Sequence, residues 1–205
     1  MNYITKLFLL FVAAIKGRIM MPVRAGCNIA AHMVKYALVK FKLLTYIHWH
    51  IECFRPDGTL KWIADYTNLV VNVGLDDILD KYWKGSTYTA AHYVGLTNGT
   101  PSFAAGDTMA SHAGWTENSN YDEATRETLT LGAVSGQSVD NSASKAVFTI
   151  DTDTQTLGGA FLTTDNTKGG SSGTLVGGAA FSGGDKSADD NDVINVTVTI
   201  TQSAS

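Results

Sequence analysis

The sequence predicts a mainly β protein: an antiparallel β-sandwich of the jelly-roll or immunoglobulin-like kind, with one short helix and a basic N-terminal arm. Three observations predict it. From Tyr93 onward, short runs rich in β-branched and aromatic residues recur every ten to eighteen residues or so, roughly the spacing of sandwich strands. Clusters of Gly, Ser, Asn and Asp separate those runs, at 138–144, 166–172 and 182–191. The final run alternates: Ile194, Val196, Val198 and Ile200 share one face, and Val193, Asn195, Thr197 and Thr199 share the other. A strand buried on one side reads this way.

Length and composition agree. The 205 residues suffice for one domain with a short extra arm. Hydrophobic residues make up 44% and charged residues only 17%, which excludes a wholly disordered chain. Two cysteines, Cys27 and Cys53, cannot form a disulfide framework. The net charge of -4 hides an asymmetry. Seven Lys or Arg and no acid precede Glu52; the other eight bases and all 19 acids follow the first 51 residues, so the two parts carry +7 and -11. An acidic body is poorly suited to gripping nucleic acid, whose phosphates are held by Lys and Arg. The expected division is an arm over 1–47 and a sandwich over 48–205.

Within the arm, Leu7–Ile15 is a nine-residue apolar run behind Lys6, too short to span a bilayer, which takes ~20 residues. Lys16-Gly17-Arg18 after it is a poor signal-cleavage region. The segment 29–47 reads as amphipathic, with Val34, Leu38 and Phe41 at helical spacing. Met20, Met21 and Met33 are internal starts, so an over-long reading frame is one account of the arm. A helix lying on a surface is the other.

The body begins with a hairpin: an alternating strand over 49–54, a turn at Arg55-Pro56-Asp57-Gly58, and a return over 59–63. Asn68–Asn72 is a short strand or a helix entry. Leu75, Ile78, Leu79 and Tyr82 are spaced as on a helix over 75–83 that ends at Gly85. Strands follow over 93–96, 128–133, 145–150, 156–163, 173–180 and 192–201.

Candidate chemistry is sparse. His48-x-His50-x-x-Cys53 puts both histidines on one strand face and Cys53 on the other, where three or four converging zinc ligands are required. Asp151-x-Asp153 and Asp189-Asp190-Asn191-Asp192 are oxygen-rich, but they lack the Gly and terminal Glu of a helix-loop-helix calcium site, and turn roles are the default. Asp107, Ser111 and His112 contain the residue types of a hydrolase without a recognisable motif around them. No catalytic residue, metal or cofactor is therefore expected. Trp83, Tyr88, Tyr93, Trp115 and Tyr121 cluster in mid-chain and are the candidate interface anchors.

The block Gly106-Asp107-Thr108-Met109-Ala110-Ser111-His112-Ala113-Gly114-Trp115-Thr116-Glu117 resembles one in small structural proteins of tailed bacteriophages. So do Asn68–Asn72, Tyr93–Thr97, Tyr121-x-Glu123-Ala124-Thr125-Arg126, Asn141–Ala146 and Gly158–Leu162. The resemblance covers 49–201 and leaves the arm out. It implies a non-enzymatic virion protein, made in the bacterial host cytoplasm. Such a protein would decorate the capsid or sit at the head-tail junction, as a homo-oligomer bound to other virion proteins. The alternative is a tail-fibre-associated module that binds a receptor or glycan through its Trp and Tyr rings.

Overall fold

The computed structural model describes residues 43–88 and 91–204. They form two antiparallel sheets. The first is built on two twelve-residue strands, β1 (Leu43–Phe54) and β12 (Val193–Ala204), paired along their whole length. β2 (Leu60–Thr67) flanks β1, and the far edge of β12 is shared by β7 (Ser138–Asp140) and β8 (Ala146–Thr149).

The second sheet has the order β3 (Leu69–Val70), β10 (Leu175–Ala180), β9 (Gln155–Thr163), β4 (Tyr93–Asn98) and β5 (Thr116–Asn118). β11 (Lys186–Ala188) continues the line of β10 along β9, and β6 (Glu127–Thr128) pairs with the start of β4. Between β3 and β4 lie a helix, α1 (Asn72–Ile78), and one turn of π-helix over Leu79–Trp83.

Alternation in the strands builds the core. The odd residues of β1 (Ile47, Trp49, Ile51 and Cys53) are buried, and so are Ile194, Val196 and Val198 of β12. Register sets them in rows: Tyr66, Trp49 and Val198 form one, and Ala64, Ile51, Val196 and Ala146 the next. The Trp49 and Tyr66 rings stack 6.0 Å apart. From the opposite sheet, Val94, Leu96, Leu157, Ala160 and Leu162 complete the cluster. Each fully buried aliphatic side chain contributes about 1.5–3 kcal/mol.

The second sheet is also covered on its outer face. There Phe161 of β9 is flanked by Gly95 of β4 and Gly178 of β10. A Cβ on Gly95 would collide with the Phe161 ring, and one on Gly178 with the Phe103 ring. Bare glycine backbone thus lets the rings lie against the sheet, where Met109, Trp115, Leu175 and Val71 join Phe161 in a second buried cluster.

Three expectations need correction. Residues 43–47 belong to β1 rather than to the arm, because Leu43–Ile47 pairs with Ile200–Ala204 of the last strand. The rest of the amphipathic segment, the apolar run 7–15, Cys27 and the internal Met positions lie outside the described residues. The strand expected over 128–133 is only Glu127–Thr128. After it the Leu129 amide bonds to the His92 carbonyl and Leu129 turns into the core, while the Gly132 amide reaches the Asp140 carbonyl. Finally, the helix begins at Asn72 and its last turn is wider than α.

Candidate interaction surface

The helix after β3 meets the sheet through one narrow face. Val71 is buried among Met109, Trp115, Phe161 and Leu175. Three residues on, a Cβ at Gly74 would strike the Val176 carbonyl of β10, so only glycine permits this approach. Ile78, four residues further, lines a cleft. With Val71, Gly74 and Ile78 turned inward, the neighbouring stripe faces solvent: Leu75 is 42% exposed and Leu79 56%. The π turn then closes with the Lys84 amide bonded to the Leu79 carbonyl. Tyr82 is 77% and Trp83 70% exposed, their rings edge-to-face at 5.2 Å. Tyr88, 61% exposed, stands beside Tyr82 over a small hollow shared with Ile78 and His92. Single π turns are rare and concentrate at functional sites.

Next to this shoulder, the open end of the sandwich holds a cleft of about 770 Å³. Its wall is mostly apolar: Ile47, Val70, Ile78, Leu129, Leu131, Leu162, Val176 and Ile200, with Thr45, Thr128, His92 and Gln202 among them. Burial there holds the His92 imidazolium below the usual histidine range, and the Asp77 carboxylate opposes this weakly. On the helix, Asp76 and Asp77 precede Asp80, Lys81 and Lys84. Asp80 binds Lys84 at 2.9 Å and the Ser86 hydroxyl at 2.9 Å, which hold its carboxyl below the ordinary aspartate range.

The five aromatic anchors expected from the sequence therefore separate. Trp83 and Tyr88 lie on the shoulder, and Tyr93 is half-buried on the outer face of the second sheet. Trp115 and Tyr121 are buried core residues and present no surface. Trp115 donates from its indole to the Asp107 carboxylate at 3.2 Å and stacks on His112 at 3.8 Å. Tyr121 packs edge-on against Phe148 at 4.9 Å, with the Lys168 ammonium 4.3 Å from its ring. Tyr82, Leu75 and Leu79, which the sequence placed at helical spacing but not among the anchors, are at the surface. Gly74 was the available signal, because glycine inside a helix marks the side on which backbone comes close.

The other candidate chemistry is tied into the fold. Asp107 accepts from the Ala104 amide and the Trp115 indole, and His112 Nδ1 contacts the Trp115 carbonyl at 3.1 Å. Ser111 bridges back to Thr108. These three residues thus shape one loop, and the bonds they make are not those of a nucleophile, a base and its orienting acid. His48 and His50 lie on the outer face of β1 beside Asp65 of β2, whose Oδ1 is 2.9 Å from His50 and 3.6 Å from His48, while Cys53 points into the core. The 189–192 loop closes on Lys61, whose ammonium binds Asp189 at 2.8 Å and Asp192 at 2.5 Å, while Asp153 of the other acidic loop accepts from the Asp190 amide at 3.1 Å. A lysine stands where a cation would be held. Among the described residues no group of three or more His, Cys, Asp or Glu is arranged to hold a metal ion.

No family model, curated protein or solved structure matches this chain. Among the described residues no helix is long and apolar enough to cross a membrane. The exposed shoulder and the apolar cleft meet at Ile78, Tyr88 and His92.

Proposed function

We propose that the protein is a non-enzymatic structural component of a phage particle, a β-sandwich that decorates the head or sits at the head-tail junction and docks through the α1 shoulder. The observation that carries the docking role is the exposure of Leu79, Tyr82 and Trp83, on a helical segment anchored to the sheet by Gly74, and of Tyr88 just after it. Solvated aromatic rings on a rigid base are the usual anchors of protein interfaces. The resemblance of the 106–117 block and its companion motifs to phage structural proteins supports the setting. The test is mass spectrometry of purified particles, with and without a Trp83→Glu, Tyr82→Glu replacement. The chain is expected in wild-type particles and depleted in the variant. Its absence from wild-type particles would overturn the reading.

A second reading has its own observation. Trp83 and Tyr88 expose ring faces of the kind that stack on sugars, as expected for a receptor- or glycan-contacting module of a tail fibre. A glycan array read with wild-type protein and with Trp83→Ala decides it: hits lost in the variant favour this reading, and a blank array dismisses it.

A further inference from the structure

We infer that the partner of the α1 shoulder is a second copy of this chain, bound across a two-fold axis with the two helices antiparallel. The inference rests on reading the shoulder as a docking face and names what docks there.

Area and charge argue for it. The exposed parts of Leu75, Leu79, Tyr82, Trp83 and Tyr88 amount to roughly 600 Å², at ~200 Å² for each fully exposed large side chain. A standard stable interface takes ~800 Å² per partner. The apolar patch supplies most of that, and the surrounding Asp76, Lys84 and Thr87, all exposed, supply a polar rim.

Along the helix and its π turn, Asp76 and Asp77 stand at the start, Asp80 in the middle, paired with Lys84 at 2.9 Å, and Lys81 and Lys84 at the end. A parallel contact would set acid against acid. An antiparallel two-fold contact brings Asp76 against the partner's Lys84 twice, the apolar stripe meets itself, and the one acid left facing its own copy, Asp80, already has Lys84 as its counter-charge. Among the described residues the Asp76 carboxylate makes no hydrogen bond or ion pair, while its main-chain carbonyl accepts from the Leu79 amide. The Lys84 side chain is 76% exposed and bonded only to Asp80. A two-fold contact also closes on itself, so association stops at two copies through this face.

Sedimentation equilibrium of the full chain over a concentration series tests this. The wild type is expected to show a monomer-dimer equilibrium. Trp83→Glu should raise the dimer dissociation constant at least ~30-fold, as loss of a central anchor does. Asp76→Lys and Lys84→Glu should each weaken the dimer, and the two together should restore it, because the swapped charges again face each other. Circular dichroism identifies any variant that has not folded, and the charge pair tests the idea without touching the apolar stripe. A monomer at all concentrations, or a double swap no better than the single changes, overturns the inference. If particles still lose the chain when Trp83 is replaced while the purified protein stays monomeric, the docking reading survives and only the second copy is refuted.

Discussion

Arg126 is the side chain on which the loops over the second sheet depend most. It is 1% exposed and makes four hydrogen bonds. Two run side by side to Glu117, Nε to Oε1 at 2.9 Å and Nη2 to Oε2 at 2.7 Å. The other two reach the carbonyls of Asp165 at 2.9 Å and Gly170 at 2.6 Å. The guanidinium also lies 5.3 Å from the centroid of the Phe161 ring. One planar fork thus joins β5, the loop before β6 and the loop after β9. Arg126→Met would leave Glu117 buried with only the Gly169 amide to satisfy its carboxylate. Breaking one side of a buried pair costs about 3–5 kcal/mol. For a domain of this size, where each kcal/mol moves the midpoint about 2–4 °C, that is a fall of roughly 6–20 °C.

The measurement is urea unfolding followed by tryptophan fluorescence, with thermal melts alongside. Arg126→Lys should lose less, about 2 kcal/mol, because the charge stays while the fork is lost. Arg126→Met combined with Glu117→Leu should recover part of the loss, since no carboxylate is then left unpaired. If Arg126→Met fell within about 1 kcal/mol of wild type, the role assigned to the fork would be wrong.

Three further outcomes follow from the same geometry. Burial first, and the Asp192 charge second, push the Cys53 thiol up to about 12, so at pH 8 it should resist iodoacetamide until urea unfolds the chain. Peptide mapping separates it from Cys27, and rapid native labelling at Cys53 would contradict the burial. His92 is held below its ordinary range, so its neutral form favours the fold. That contribution is complete above the unfolded value of about 6.5 and is lost as pH falls through the lower folded value. Wild type should therefore lose more stability between pH 7.5 and 5.5 than His92→Gln does, and equal losses would exclude the effect. Gly158→Ala would place a Cβ against the backbone of Gly99 and Thr100, which cannot rotate away, and should cost roughly 1–3 kcal/mol in a denaturant titration. An unchanged midpoint would show that the β4–β9 edge relaxes freely.

The strands legible in the sequence are those with a one-sided pattern. β8, β9, β10 and β12 each carry β-branched or aromatic residues in alternation, or glycine pairs between such residues, bounded by turn residues. The start of β1 was hidden because Leu43-Leu44-Thr45-Tyr46-Ile47 continues an apolar stretch and carries no alternation of its own. Only its distant partner, residues 200–204, makes it a strand. β5, β6, β7 and β11 are two or three residues long and owe their state to the neighbour they pair with. The helix was legible, but not which side of it packs. The spacing of Leu75, Ile78, Leu79 and Tyr82 fits a buried stripe as well as an exposed one, and contact at Gly74 decides between them. The Trp and Tyr positions were legible as residue types. Whether the Trp115 ring is core or surface depends on the path of the loop over 99–115, which packs it against Phe161 at 4.8 Å and Phe103 at 5.0 Å.

That loop and the shoulder divide the work of the molecule in a way that crossed perturbations can separate. The 106–117 block, which carries the resemblance, spends its aromatic and charged residues inward: Met109, Trp115 and Asp107 are buried, and Glu117 holds Arg126. The shoulder spends its residues outward, and Leu79, Tyr82, Trp83 and Tyr88 are all more than half exposed. Changes at Arg126 should therefore lower the unfolding midpoint and leave the association constant of the remaining folded protein unaltered. Changes at Trp83 should weaken association and leave the monomer's midpoint within about 0.5 kcal/mol of wild type, as for a surface position. Residues so far apart in role, with no shared partner, should also add in the double variant. Strong coupling between Arg126 and Trp83 would mean that the sheet transmits strain from its outer loops to the helix, and the shoulder could no longer be treated as a rigid platform.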